Sequence, residues 1–294
     1  MKLKLKLNGS AEPFINYLKS YLRIRESLLL EIDTENRAFV AKTSTQDKSA
    51  IRFASITFDE SKISIVSDDG ENERNGTRIK VGILLQLKKF IQIVERFGSE
   101  VDKEGNSEFD VIISYEPYIH EDNTRDFVST QVQFVSKTLK MKIDGFRITD
   151  LSYIPDDDFV NKIFNLSESV SCEITSEKVN NIIKNSEIVK MDPRKDTLIF
   201  FNEGKSLNVK SYIGSKDKEP DFEYKIGELD AEPNYEIELP INREKFIKML
   251  DKSTESFKLI LGKYIMGDYN EIDRLLFDSV NSTTKIVIGA VRDK

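Results

Sequence analysis

The chain switches four times from one spacing of apolar residues to another. Alternate residues are apolar in four short stretches, a period of two that is typical of a half-buried strand. These stretches are Leu3, Leu5 and Leu7; Ile79, Val81 and Ile83; Val170, Cys172 and Ile174; and Ile237, Leu239 and Ile241. Each is followed by the spacing of an amphipathic helix, over residues 11–25, 84–97, 176–190 and 242–253.

The last two switches agree in register. Counted from Ile174 and from Ile241, apolar residues follow after five, eight and nine positions. The residues at these offsets are Val179, Ile182 and Ile183 in the third copy and Phe246, Met249 and Leu250 in the fourth. Agreement at three offsets indicates an internal repeat.

Three strand-like runs follow each helix, so each repeat is predicted to be strand, helix, strand, strand, strand. Two repeats form each half of the chain. The predicted structure is mostly antiparallel sheet with few helices, which is an α+β fold. We therefore predict two similar domains, at residues 1–150 and 169–294. Pro155 and the acidic run after it break the pattern, so residues 151–168 are predicted to be an interdomain connector.

Composition narrows the class of protein. Eighteen Phe and ten Tyr favour well-packed cores, and the single cysteine rules out an internal disulfide. No apolar run approaches the roughly 20 residues of a membrane-spanning helix. The alternating "MKLKLKL" is typical of a strand and not of a signal peptide. We expect a soluble protein of the cytoplasm.

Positive charge is concentrated on the helices. The chain has a formal net charge of −7, yet the four helical segments hold thirteen Lys and Arg against six Asp and Glu. Most of these cations lie opposite the apolar stripe of their helix. The third helix is the weakest case, because Asn180 and Asn181 fill much of its polar face.

Two interpretations of these cations remain open. Any solvated helix face is charged, but repetition on four equivalent helices of an acidic chain favours a surface that holds DNA through its phosphates without reading bases. The predicted DNA-binding residues are Lys19, Arg23, Lys88, Lys89, Arg96, Lys184, Arg243, Lys245, Lys248 and Lys252.

The repeat pattern and charge placement resemble the DNA sliding clamps, the ring-shaped polymerase processivity factors. The resemblance covers essentially the whole chain, including "SLLLEIDTENRAFVAKTSTQDKSAIRFASITF" and "EIVKMDPRKDTLIFFNEGKSLNVKS". The two-domain subunits of proliferating cell nuclear antigen and of tailed-phage clamps are the most similar kind. The chain is longer than most of these, and the extra residues lie in polar loops such as "DDGENERNGTR".

The resemblance implies the fold, the partners and the mechanism. Helices would line the hole of a ring and sheets would form its outer wall, in a homotrimer that encircles double-stranded DNA and tethers a DNA polymerase. A clamp loader ATPase would open the ring. The compartment would be the host cytoplasm for a phage protein in viral replication, or the nucleus for a eukaryotic one.

The resemblance also implies a docking groove for partner peptides beneath the connector. Its lining would be Tyr153, Ile154, Phe159, Ile163 and Phe164. The alternative is that these side chains only pin the connector to the sheets.

No catalytic motif is present, and we expect no enzyme activity, cofactor or metal. His120 is the only histidine, which excludes a histidine-based triad or zinc site. Two other functions stay open: a monomeric nucleic-acid-binding accessory protein that forms no ring, and a metal-dependent nuclease built on Asp156, Asp157 and Asp158.

Overall fold

The computed structural model groups into two compact units. It describes residues 2–34, 36–57, 63–68, 78–83, 86–119, 123, 125–144, 157–189, 196–212, 219–233, 236–250, 254–266 and 270–291. The first unit comprises Met1–Thr43 and Phe53–Pro155, and the second comprises Ser44–Arg52 and Asp156–Lys294. The predicted boundaries of the domains and the connector stay a prediction, because residues 145–156 lie outside the described part.

The first unit is a sheet with two helices. Its strands are β1 Lys2–Gly9, β2 Leu28–Asp33, β3 Ala38–Ser44, β4 Ala50–Thr57, β5 Ile63–Asp68, β6 Arg78–Ile83, β7 Ser107–Ile119, β8 Arg125–Val135 and β9 Lys140–Asp144. The last residue of β3 and residues 50–52 of β4 are grouped with the second unit. Its helices are α1 Glu12–Leu22 and α2 Leu87–Gly98. The strand order is β5-β1-β7-β8-β6-β2-β3-β4, and β9 also pairs with β8.

The second unit adds three helices and two sheets among its described residues. Its helices are α3 Asp157–Phe164, α4 Ser176–Ile188 and α5 Arg243–Leu250. Its strands are β10 Ser167–Ile174, β11 Thr197–Glu203, β12 Ser206–Ser211, β13 Phe222–Glu228, β14 Glu238–Asn242, β15 Phe257–Met266, β16 Asn270–Ser279 and β17 Lys285–Gly289. The sheet orders are β10-β15-β16-β17 and β13-β12-β11-β14.

Both units use the same exchange of strands between their two repeats. In the first unit, β1 pairs with β7 and β6 pairs with β2, both antiparallel. In the second unit, β10 pairs with β15 and β14 pairs with β11, again antiparallel. The first strand of each repeat therefore lies beside the second strand of the other repeat. This shared connectivity confirms the predicted fold of two similar halves, each made of two repeats.

The repeated apolar offsets become the buried faces of the helices. On α4 and α5 the six residues at these offsets are at most 4% exposed. On α5, the ring of Phe246 lies 5.9 Å from the rings of both Phe200 and Phe277. On α2, the ring of Phe97 lies 5.5 Å from Phe109. The helices are therefore held to their sheets by aromatic and aliphatic packing.

Two elements were not predicted. Strand β5 is a short alternating run that pairs with β1. Helix α3 lies within the predicted connector, and it buries Val160 and Ile163, three positions apart. A helix of eight residues is marginal alone. Here Ile163 packs with Ile51 and Leu276 of the second unit, and this burial stabilises the helix.

No helix among the described residues is both long and apolar enough to cross a bilayer.

Candidate nucleic-acid interface

Helices α1 and α2 lie side by side and run antiparallel. At one end of the pair, a Cβ placed on Gly98 would lie 2.8 Å from the Cβ of Ala11. At the other end, the Leu87 amide donates to the carbonyl oxygen of Glu26 at 3.1 Å. Glycine at position 98 is what permits the two backbones to approach this closely.

The first-unit cations predicted to meet DNA lie on the exposed faces of these helices. Lys88 and Lys89 are exposed while the adjacent Leu87 and Phe90 are buried, as the period of the helix requires. Lys19, Arg23 and Arg96 are exposed too. In this unit the structure therefore keeps every predicted cation at the solvent side of its helix.

Two of these cations are held by neighbouring carboxylates. Lys19 Nζ lies 2.7 Å from Glu95 Oε1, an ion pair between α1 and α2. Arg96 Nη2 lies 3.6 Å from Glu100 Oε1. Within the described residues, Lys88 and Lys89 form no ion pair. The exposed face therefore contains both paired and unpaired cations.

The second unit contains a similar mixture. Lys184 is exposed on α4 and forms no ion pair within the described ranges. Lys248 is exposed on α5, where its Nζ lies 2.6 Å from Glu244 Oε1. Lys252, the remaining predicted cation of this segment, lies outside the described residues.

Arg243 does not face solvent, and its predicted contact with DNA is wrong. Its side chain is 5% exposed; its Nε donates to Asp196 Oδ2 at 2.5 Å, and its Nη1 donates to the carbonyl oxygen of Ser186 at 2.6 Å. Ser186 belongs to the last turn of α4. Arg243 therefore ties the end of α4 to the start of α5. Helical spacing alone did not predict this contact, because the side chain of the first residue of α5 points back toward α4.

Lys245 is held by a turn that is distant in sequence. Its Nζ donates to the Asp47 carboxylate and to Ser49 Oγ, and a quarter of its side chain is exposed. Asp47 also accepts from Thr45 Oγ1 at 2.7 Å and from Ser49 Oγ at 2.8 Å. No sequence pattern connects Asp47 to Lys245, which is 198 positions away.

The environment of Asp47 keeps its carboxylate ionised. Partial burial by itself would raise its pKa. The hydrogen bonds from Lys245, Thr45 and Ser49 act in the opposite direction and hold the pKa of Asp47 well below its ordinary value. The Asp47 carboxylate therefore stays ionised throughout the physiological pH range.

The predicted peptide groove is only partly described. Tyr153 and Ile154 lie outside the described residues, as does the side chain of Phe159. Ile163 is 1% exposed and packs with Ile51 and Leu276 inside the second unit. Phe164 is half-buried, and Lys285 Nζ lies 5.9 Å from the centre of its ring.

A polar cleft lies at one end of the first unit. It encloses about 860 Å³ between the end of β1, the loop after α2 and the turn before β9. Its carboxylate Glu100 accepts hydrogen bonds from Ser136 and Thr138, and these bonds lower the pKa of Glu100. Asp102 and Glu108 are the other carboxylates of the cleft, and each is likewise held by hydrogen bonds or an ion pair with its neighbours.

The described residues show neither a metal-binding cluster nor a reactive thiol. No group of three His, Cys, Asp or Glu side chains gathers there as a metal site would require. His120, Asp156 and the side chains of Asp157 and Asp158 lie outside the described part. Burial raises the pKa of the Cys172 thiol to about 11, which disfavours a reactive thiolate.

Comparison with known proteins shows likeness in structure. No protein-family model and no curated sequence matches the chain. A structure of A. fulgidus PCNA, bound to the C-terminal region of FEN-1, superposes with a TM-score of 0.58 at 10% identity, over 99% of this chain and 100% of that one. The PCNA2–PCNA3 complex of Sulfolobus tokodaii gives 0.54 at 13% identity, over 99% of both chains.

The bacterial clamps are longer. The DNA polymerase III beta subunit of Borrelia burgdorferi gives a TM-score of 0.60 at 13% identity, over 98% of this chain and 65% of that one. The chain thus spans about two thirds of that subunit. With the strand exchange found in both units, these likenesses show that the chain has the fold of the DNA sliding clamps.

Proposed function

We propose that this protein is a sliding clamp, a processivity factor that encircles duplex DNA and tethers a DNA polymerase without catalysing a reaction itself. The observation that carries this proposal is the repeated exposure of cations on equivalent helices of a clamp fold. Lys88 and Lys89 lie on α2, Lys184 on α4 and Lys248 on α5. Ammonium groups on helix surfaces attract phosphates without reading bases, which suits a protein that must move along any sequence.

A homotrimer would close the ring if β9 of one copy pairs with β13 of the next. In the described part of the chain, β9 pairs only with β8, and β13 ends its sheet. The net exposed charges of the two strands are opposite, because β9 carries Lys140, Lys142 and Asp144 while β13 carries Glu223, Lys225 and Glu228. Pairing between copies would also remove exposed strand edges, which otherwise promote aggregation.

Partner proteins would bind the clamp through short peptides. The A. fulgidus protein binds the C-terminal region of FEN-1, and the Helicobacter pylori beta clamp binds a DNA ligase peptide. For this chain we propose a polymerase as the main partner and a clamp loader ATPase as the protein that opens the ring. The predicted lining residues that remain candidates for a peptide groove are Tyr153, Ile154, Phe159 and Phe164.

Two measurements test the proposed function. Light scattering should give about three times the 33.8 kDa formula mass.

After loading, the protein should stay on closed circular DNA and leave it when the circle is cut, because the link is topological. Lys88→Glu/Lys89→Glu should shorten retention, whereas the matched control Lys103→Glu/Lys205→Glu, in exposed turns, should not. A monomer at every concentration that binds circular and linear DNA alike would instead indicate an accessory protein without a ring.

A further inference from the structure

Four of the described cations on the proposed DNA-facing helices already have a carboxylate partner. The pairs are Lys19–Glu95 at 2.7 Å, Arg96–Glu100 at 3.6 Å, Lys248–Glu244 at 2.6 Å and Lys245–Asp47. Three of the acids, Glu95, Glu100 and Glu244, belong to the helices or follow them directly. The pairing is therefore a feature of both units and of several helices.

A smaller group of cations has no such partner. Lys88, Lys89 and Lys184 are exposed and lie within 4.0 Å of no carboxylate among the described residues. An unpaired exposed ammonium is free to exchange its counterion for a phosphate. A paired lysine must first lose its carboxylate, and that carboxylate then stays near the DNA and repels it.

We propose that Glu95, Glu244 and Asp47 set the affinity of this protein for DNA by neutralising Lys19, Lys248 and Lys245, so that Lys88, Lys89 and Lys184 make the main phosphate contacts. The inference rests on the proposed function, which directs these helices toward duplex DNA. Its consequence is a weak hold, because only the unpaired cations add favourable charge. Weak phosphate contacts permit sliding, whereas a fully unpaired surface would slow it.

Asp47 differs from the other two acids in how firmly it is placed. Exposure does not distinguish the three acids, since the exposed fraction of the side chain is 42% for Glu95, 57% for Glu244 and 56% for Asp47. Asp47 is fixed by Thr45 and Ser49 as well as by Lys245. We therefore expect Lys245 to be the least available of the three lysines, with Lys19 and Lys248 exchanging partners more readily.

The test measures binding of the full-length protein to a short duplex of arbitrary sequence at several salt concentrations, by fluorescence anisotropy. The variants Glu95→Gln, Glu244→Gln and Asp47→Asn each remove one neutralising charge. The matched control is Glu108→Gln, which removes a carboxylate paired with Lys6 at 2.5 Å on the β1–β7 sheet. All four variants change the net charge equally, so a difference from the control reports position and not total charge.

The three test variants should bind about two- to fivefold tighter than the control at low salt, and the salt dependence should steepen by up to about 0.9 per freed cation. Lys88→Ala and Lys89→Ala should weaken binding more than Lys19→Ala does. Binding by the test variants equal to that of Glu108→Gln would overturn the inference. So would an equal loss from Lys19→Ala and Lys88→Ala.

Failure of the inference is distinguishable from failure of the proposed function. If the wild type binds the duplex and Lys88→Ala weakens binding, but the acid variants match the control, only the inference is overturned. If Lys88→Ala and Lys89→Ala leave binding unchanged, the helix surface does not meet DNA. The proposed function then fails together with the inference.

Discussion

The guanidinium of Arg243 and the carboxylate of Asp196 form an ion pair in which each side chain is only 5% exposed. Arg243 also binds the last turn of α4 through the carbonyl oxygen of Ser186. A buried ion pair contributes little net stability over apolar residues, but losing one partner leaves an uncompensated charge. The pair therefore specifies how α4 and α5 meet.

Removing the carboxylate of this pair should strongly destabilise the protein. Asp196→Ala is expected to lower the free energy of unfolding by about 3 to 5 kcal/mol, because Arg243 stays charged and buried. Urea unfolding followed by circular dichroism measures the change. Lys225→Ala, which breaks the exposed pair with Glu228, is the control and should change the unfolding free energy by at most about 1 kcal/mol.

The double variant Arg243→Met/Asp196→Leu sharpens this test. It removes both charges and keeps the apolar volume, so it should be more stable than Asp196→Ala alone. If Asp196→Ala unfolds at the same urea concentration as the wild type, the pair does not hold the two helices together.

The close approach of α1 and α2 makes a second prediction. In Gly98→Ala the new methyl would meet the Cβ of Ala11 at 2.8 Å and force the helices apart. Overpacking of this kind is expected to cost about 1 to 3 kcal/mol, despite the better helix propensity of alanine. Thermal unfolding should show it, with Gln92→Ala on the exposed face of α2 as the control.

A compensating change identifies the cause. Ala11→Gly in the same chain removes the opposing methyl and should restore much of the stability that Gly98→Ala loses. A double variant no more stable than Gly98→Ala would place the strain somewhere other than the α1–α2 contact.

We expect the protein to become less stable at alkaline pH because of the buried thiol of Cys172. Burial raises its pKa from an ordinary 9.0 to about 11, which outweighs the opposite effect of Lys178. Because the thiol ionises more readily in the unfolded protein, its contribution to the free energy of unfolding is fully present below about pH 9. That contribution is lost as the pH rises toward 11. The wild type should lose stability in that window, and Cys172→Ala should lose less.

Thiol modification gives an independent check on the same residue. At pH 8 a thiol reagent should label Cys172 slowly in native protein and rapidly in urea, since the native thiol is buried and protonated. Rapid labelling of native protein would contradict the buried position of the Cys172 side chain on β10.

The proposed trimer makes a prediction about two strand edges. Lys140→Glu/Lys142→Glu on β9 would place like charges opposite Glu223 and Glu228 of a neighbouring copy, and the trimer should dissociate. Sedimentation velocity measures the state, with Lys103→Glu/Lys205→Glu as the equal-charge control. Adding Glu223→Lys/Glu228→Lys should restore the trimer. Dissociation that the second pair of changes does not reverse would count against this edge contact.

Local periodicity was sufficient to predict most of the elements. Alternation at Leu3, Leu5 and Leu7 and helical spacing at Phe246, Met249 and Leu250 each describe which face of an element is apolar, and burial follows directly from that face. The fold class and the four repeats follow from the order of these elements. Strand β5 and helix α3 were missed because each is short and lies in a polar stretch.

Pairing between distant residues came only from the tertiary structure. The sequence determined that cations gather on the helices, and Lys88, Lys89 and Lys184 are indeed exposed. It did not determine which cations stay unpaired, because Asp47 meets Lys245 and Asp196 meets Arg243 through packing of segments far apart in the chain. A helical period reports the direction of a side chain relative to its own axis, whereas its partner depends on which other element is packed beside it.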